Sequence, residues 1–392
     1  MQFNINNFNI KKKIIQHNLL LSKITFAFYN LIIITILNLF FDSNLAGKLL
    51  YVQGIIYIFS ALSRFGSDYY WVSSSNENLI IVKYEFFILL SSTMITSCVC
   101  YYFLDEKDYS NLFWIFTSLF LINIVNFLGR YYQKKEKHIM SLFMFLLAPS
   151  LFVVPILFVY QNINLYVLMT ISMLIVIFAI VLIEDWKFDF EIHSETYLQR
   201  LNYLPITIYG MVNQNLIATI GGLMAREEQI ALLILFQRIS GIVLWPQIFH
   251  MQKDINKINS SLSSEIFFKN YLLLYIKKYI KEIVIYSALA IIICIALLFK
   301  VENFNLYTVI ASIIILVASI VNVFLGYLQV QIGHSKNGLK SIIILLVSLL
   351  IIAIFINIYN YPYITFAFAF LLFHLMNHIS NYYIITRWLK NR

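Results

Sequence analysis

Chemistry in this chain is to be sought where charged and amide side chains interrupt stretches built from Ile, Leu, Phe and Val. Arg238 follows Glu228 by ten residues, about 15 Å of helix at ~1.5 Å per residue, which sets it near the middle of an apolar stretch. On the preceding stretch Asn213, Gln214 and Asn215 lie at matching depth, before the turn at Met224. A guanidinium offers five donors in a planar fork suited to phosphate oxygens, and amides suit hydroxyls. The competing reading is an arginine bonded to neighbouring carbonyls. A charge inside a bilayer costs ~2.5–3.5 kcal/mol on insertion scales, so its side chain should face a cavity or a partner helix.

Further polar groups follow helical spacing. Gln53, Tyr57, Ser60, Arg64 and Ser67 are separated by steps of four and three and fall on one face. Asp68, four residues after Arg64, is a candidate ion-pair partner. Arg64 also lies near enough to the cytoplasmic end to snorkel, as does Lys23, which shares a face with Ala27 and Asn30. Ser312, Ser319, Asn322, Gly326 and Gln329 read as packing residues. His374 and His378 stand one turn apart beside Asn377 and Asn381; with Glu85 they form a candidate proton relay, against a purely structural role. No acid shares a helix face with the two histidines, so no metal site is expected. Cys98, Cys100 and Cys294 all fall within apolar stretches, which argues against both a disulfide framework and zinc.

The elements that must position these groups are membrane helices. Of the 392 residues 61% are hydrophobic and 12% charged, leaving no room for a soluble domain. A crossing needs roughly 20 apolar residues. Twelve such spans are expected near 18–40, 46–70, 79–103, 111–130, 139–159, 164–183, 201–223, 229–250, 281–299, 306–329, 339–359 and 363–386. Three lysines ahead of the first resemble a signal peptide, but no small-x-small cleavage site follows, so the stretch reads as a retained anchor.

Charge orients the chain. Lys11 to Lys13, Arg130 to Lys137, Lys253 to Lys278, Lys336 with Lys340, and Arg387 to Arg392 occupy one set of connections. The other set is short and neutral or acidic. Lys and Arg mark cytoplasmic loops, so both termini are expected inside. The formal net charge of +9 is then a topology signal, and nucleic-acid binding is not expected. The segment from Glu184 to Arg200 divides the chain into a six-helix lobe at 1–190 and another at 191–392, an arrangement common among transporters. A second interruption, Gln252 to Ile280, alternates Phe267, Phe268 and Leu272 to Tyr275 with Lys269, Lys277 and Lys278. It reads as an amphipathic helix in the headgroup region before span nine, or as a basic flank that enforces topology.

The stretch YLPITIYGMVNQNLIATIGGLMAREEQIALLILFQRISGIVLWPQIFHMQKDINKINSS, from Tyr203 to Ser260, resembles spans seven and eight of the Wzx-type polysaccharide flippases. These belong to the multidrug/oligosaccharidyl-lipid/polysaccharide exporter superfamily. The likeness rests on Asn213 to Asn215, Gly221-Gly222, Glu227-Glu228, Gln237-Arg238 and Pro246-Gln247. Arg64-Phe65-Gly66-Ser67-Asp68 is similar to the Phe-Gly-x-Asp of that family's span two, and the Gly129-Arg130 turn resembles its connection from span four to span five.

The resemblance implies an all-α integral membrane fold, two six-helix lobes around a cationic cavity. It implies a multi-pass protein of the bacterial cytoplasmic membrane that flips undecaprenyl-diphosphate-linked repeat units, for O-antigen or capsule, by alternating access. Substrate contacts are then expected from Arg238, Arg64, Asn213, Gln214, Asn215, Lys23 and Gln53. No catalysis and no resident cofactor are implied, and a polysaccharide polymerase and a chain-length regulator are the expected protein partners. Ion-coupled flippases often carry an acid in the second lobe; spans seven, eight and ten to twelve have none, so coupling to protons or sodium stays open. The alternatives are a drug/cation antiporter, for which buried acids are scarce, and a polymerase or membrane glycosyltransferase. A polymerase would carry a large external loop with arginines, and a transferase an external acidic pair such as Asp105-Glu106.

Overall fold

Few residues here break a helix. Of five prolines, Pro362 opens one helix and Pro205 is the second residue of another, positions where a missing N–H costs nothing. The computed structural model describes residues 43–64, 66, 83–104, 108–134, 140, 144, 164–183, 202–223, 227–244, 261–298, 306–325, 328, 331–332, 337–358 and 362–391. Within them the chain is helical and holds no strand. The main helices are α1 (Ser43–Ser63), α2 (Lys83–Phe103), α3 (Tyr109–Lys134), α4 (Leu165–Ile183) and α5 (Leu204–Leu223). They continue with α6 (Glu227–Ser240), α7 (Glu265–Leu298), α8 (Leu306–Leu325), α9 (Gly338–Ile358) and α10 (Pro362–Lys390). Among the described residues five segments are long and apolar enough to cross a membrane: Tyr109–Gly129, Glu265–Ala296, Leu306–Leu325, Gly338–Ile356 and Tyr363–Lys390. Spans one and five of the sequence reading lie outside the described residues, apart from Met140 and Met144.

Polar side chains close several helix ends. Asp108 accepts from the Ser110 N–H at 2.9 Å and starts α3; Asn164 does the same for Tyr166 and starts α4. Hydrogen bonds from Ser110 hold the exposed Asp108 carboxyl below its ordinary range. Ser264 caps α7 through the Phe267 N–H at 3.3 Å. Asn164 also donates to Asn111, tying the starts of α3 and α4 together.

Two expectations change. The second span ends at Ser63 rather than near residue 70, because Gly66 takes a φ of 75°, a left-handed conformation that ends helices and favours glycine. The amphipathic segment and the ninth span are one unbroken helix, α7, of 34 residues. That is about 51 Å, well beyond the ~30 Å of a hydrocarbon core. No Gly or Pro separates the two parts, and one buried stripe (Phe268, Tyr275, Tyr279, Ile283, Ala290, Cys294) runs through both. Its start is pinned by Glu265, which pairs with Lys269 at 2.6 Å and with Lys390 of α10 at 3.9 Å.

The chain divides into two compact units. The first contains the end of α1 from Phe59 and helices α2 to α4, with α3 packed on α2 and α4. Ser118 of α3 bonds Thr170 and the Tyr166 carbonyl of α4, at 3.0 and 3.1 Å. The second contains α1 up to Ile58 and α5 to α10. There α10 packs on α8 and α9, with Asn377 donating to Ser348 and Ser341 donating to Asn381, each at 3.0 Å. The opposite face of α9 leaves Ile343, Leu346, Val347, Leu350, Ile351 and Ile354 exposed, a continuous apolar stripe of the kind a membrane covers.

Candidate functional site

Helices α5 and α6 pack against each other. Gln237 donates to the main-chain carbonyl of Asn213 at 2.6 Å, so the residue beside Arg238 is fastened to the first of the three amides. Arg238 is half-buried; its Nε is enclosed and has no hydrogen-bond partner among the described residues. From α1, Tyr57 lies close enough to act on the Arg238 charge, and Gln53 donates to the Tyr57 hydroxyl at 3.2 Å. Helix α1 can come so near because Gly54 faces Asn215, Ala218 and Thr219: a Cβ at Gly54 would stand 3.2 Å from Thr219 Oγ1. Thr219 Oγ1 and Gln237 Oε1 are also buried with no partner among the described residues. Unmatched buried donors and acceptors are uncommon enough in folded proteins to call for an explanation, and a bound polar ligand supplies one.

The predicted residues thus separate into groups. Gln53 is linked to Arg238 through Tyr57, and the Asn213 main chain to Gln237, the residue beside Arg238. Asn215 is buried and spends its amide on the Met211 carbonyl of its own helix at 2.9 Å, which leaves it less to offer a ligand. Gln214 lies on α5 and Glu85 on α2, but their side chains fall outside what is described; Lys23 lies outside the described residues altogether.

Arg64 belongs to the first unit and does not snorkel. It is 4% exposed and bonds Ser60 at 2.9 Å and Asn123 Oδ1 at 3.0 Å. Asn123 in turn donates to Ser63 at 2.7 Å and Thr93 at 3.2 Å, and Ser92 donates to the Ser63 carbonyl at 2.8 Å. Three helices are joined around one cation through these side chains. Asp68, the partner expected from spacing, lies outside the described residues.

His374 and His378 are fully buried and meet a residue that sequence reading missed. The Tyr209 hydroxyl of α5 stands 2.7 Å from His374 Nδ1, 3.0 Å from His378 Nε2 and 3.2 Å from Asn322 Oδ1 of α8. His378 Nε2 is itself 3.2 Å from Asn322 Oδ1. The Tyr209 ring lies flat on Phe373, centroids 5.3 Å apart at 11°, which fixes where its hydroxyl points. Asn322, read from sequence as a packing residue, is a member of this cluster. One signal was available: Tyr209 is one turn before Asn213, on the face of α5 that carries the amides. Among the described residues no cluster of His, Cys, Asp and Glu could hold a metal ion.

Comparison with protein-family models, with curated proteins and with solved structures finds no match to this chain.

Proposed function

We propose that this chain is a multi-span membrane transporter that flips undecaprenyl-diphosphate-linked oligosaccharides across the bacterial cytoplasmic membrane. Twelve helices in two lobes and alternating access belong to the same proposal, as does the absence of any bond-making step. The observation that carries it is Arg238. It lies in an apolar helix, with an enclosed Nε that no described residue satisfies, with Tyr57 acting on its charge and Gln53 bonded to Tyr57, and beside Gln237, which holds the Asn213 carbonyl. A pyrophosphate is the counterpart such a group would take in a membrane: doubly charged, planar-fork compatible and carried by a lipid. Amides and a phenol beside it suit the hydroxyls of the first sugars. The likeness of 203–260 to the flippase hairpin points the same way.

The test is complementation. Expressed in a strain that lacks its own flippase and makes a matching repeat unit, the chain restores surface glycan. Purified alone with a lipid-linked glycan, it neither lengthens nor hydrolyses it. A polymer formed by the purified protein would replace this reading with that of a polymerase.

A further inference from the structure

The cluster around Tyr209 holds more order than helix packing requires. Asn322 Oδ1 can only accept, so its contact with His378 Nε2 places a hydrogen on that nitrogen. Tyr209 has one hydrogen and two acceptors within reach, Asn322 Oδ1 at 3.2 Å and His374 Nδ1 at 2.7 Å, and the shorter contact takes it. Neutral His374 then carries its own hydrogen on Nε2. The result is a chain with a direction: His378 Nε2–H to Tyr209 Oη–H to His374 Nδ1. The two outer nitrogens, His378 Nδ1 and His374 Nε2, are buried with no hydrogen-bond partner among the described residues. One is a bare acceptor and the other an unused donor, at opposite ends of the chain.

We propose that Tyr209, His374 and His378 form a proton-binding relay buried among α5, α8 and α10. A proton arriving at His378 Nδ1 makes that ring cationic. Its Nε2 proton passes to Tyr209 Oη while the Tyr209 proton passes to His374 Nδ1, and His374 can then release the proton on Nε2 to water, which also delivers the first. One proton enters, one leaves, and the chain points the other way. Asn322 favours the resting direction, because only then does its oxygen face an N–H.

Among the described residues the electrostatic neighbour of His374 is His378, and no charged group of α6 or α7 acts on either ring. Helix α5 presents Tyr209 and α8 presents Asn322, while α9 meets α10 through Ser341 and Ser348, which do not titrate. With no counter-ion among the described residues, an added proton is held by being spread over the two stacked rings and the phenol between them. The relay bears on the transport reading in one way: Tyr209 is one turn from Asn213, so the two sites share a helix. Coupling substrate movement to this proton rests on that reading, whereas the proton chemistry does not.

The experiment uses the full chain in lipid nanodiscs with 15N-labelled histidine and no substrate. Imidazole nitrogen signals are followed from about pH 8 to about pH 5, with His374→Gln and His378→Gln assigning the lines. The relay predicts that both rings are Nε2–H at the start and change together with one shared midpoint. Tyr209→Phe keeps the ring on Phe373 but breaks the chain, so the two rings should part, with His378 responding alone. Asn322→Leu, a second variant, should release the resting direction and put hydrogen on His378 Nδ1 in part of the population. Two independent midpoints in the unaltered chain, or no change in either ring, would overturn the relay. Because no glycan is present, the relay can hold while complementation fails, and the reverse.

Discussion

Gln237 on α6 holds the main-chain carbonyl of Asn213 on α5 at 2.6 Å. That carbonyl already lies within a helix, so the bond is an additional one and gives the hairpin a fixed register. Any slip would break it. The same carboxamide leaves its Oε1 buried and unmatched among the described residues, one helical position from the unmatched Arg238 Nε. Register and unmet bonding capacity therefore come from neighbouring residues.

Asn123 should be a stability residue of the first unit. Asn123→Leu removes an acceptor from Arg64 and the donors to Ser63 and Thr93. Leaving buried polar groups unsatisfied costs about 1–3 kcal/mol. A clearly lower thermal midpoint in detergent is expected, with little effect from Asn126→Leu, whose amide among the described residues bonds the Ile122 carbonyl of its own helix. Equal midpoints for Asn123→Leu and the unaltered chain would contradict the network.

Helix positions were legible because apolar length decides them: α8, α9 and α10 begin at Leu306, Gly338 and Pro362, against expected starts of 306, 339 and 363. What hydropathy could not show was where a span and a polar segment merge. Lys277 and Lys278 lower the local apolarity without weakening the helix, so α7 reads as two pieces in sequence and is one in structure. Tertiary partners were illegible for a different reason. Spacing finds neighbours on one helix and is blind to partners on another. Asn123, which bonds Arg64, is 59 residues away, and Tyr209 reaches His374 across 165.

Gly338 should not tolerate a side chain. A Cβ there would come within 2.5 Å of Asn202 Cα and 2.6 Å of Asn202 O, main-chain atoms that cannot turn aside. Gly338→Ala is expected to cost about 1–3 kcal/mol through displacement of the start of α9. Gly210→Ala, where nothing lies within 4 Å, should be neutral or stabilising by about 0.5–1 kcal/mol. The pair is compared by thermal midpoint, and a Gly338→Ala midpoint at or above that of Gly210→Ala would refute the close approach.

The central claim is that Arg238 meets the pyrophosphate of a lipid-linked glycan. The most direct measurement is surface-glycan display in a flippase-deficient strain, with the amount of protein in the membrane measured beside it. Hydrogen bonds to charged groups are worth about 1.5–3 kcal/mol, so Arg238→Ala should lower display about tenfold or more at normal protein level. Arg238→Lys keeps the charge and loses the fork, and should fall between. Arg64→Ala, which breaks internal bonds to Ser60 and Asn123, should instead reduce the amount of protein. Full display from Arg238→Ala at normal level would contradict the account.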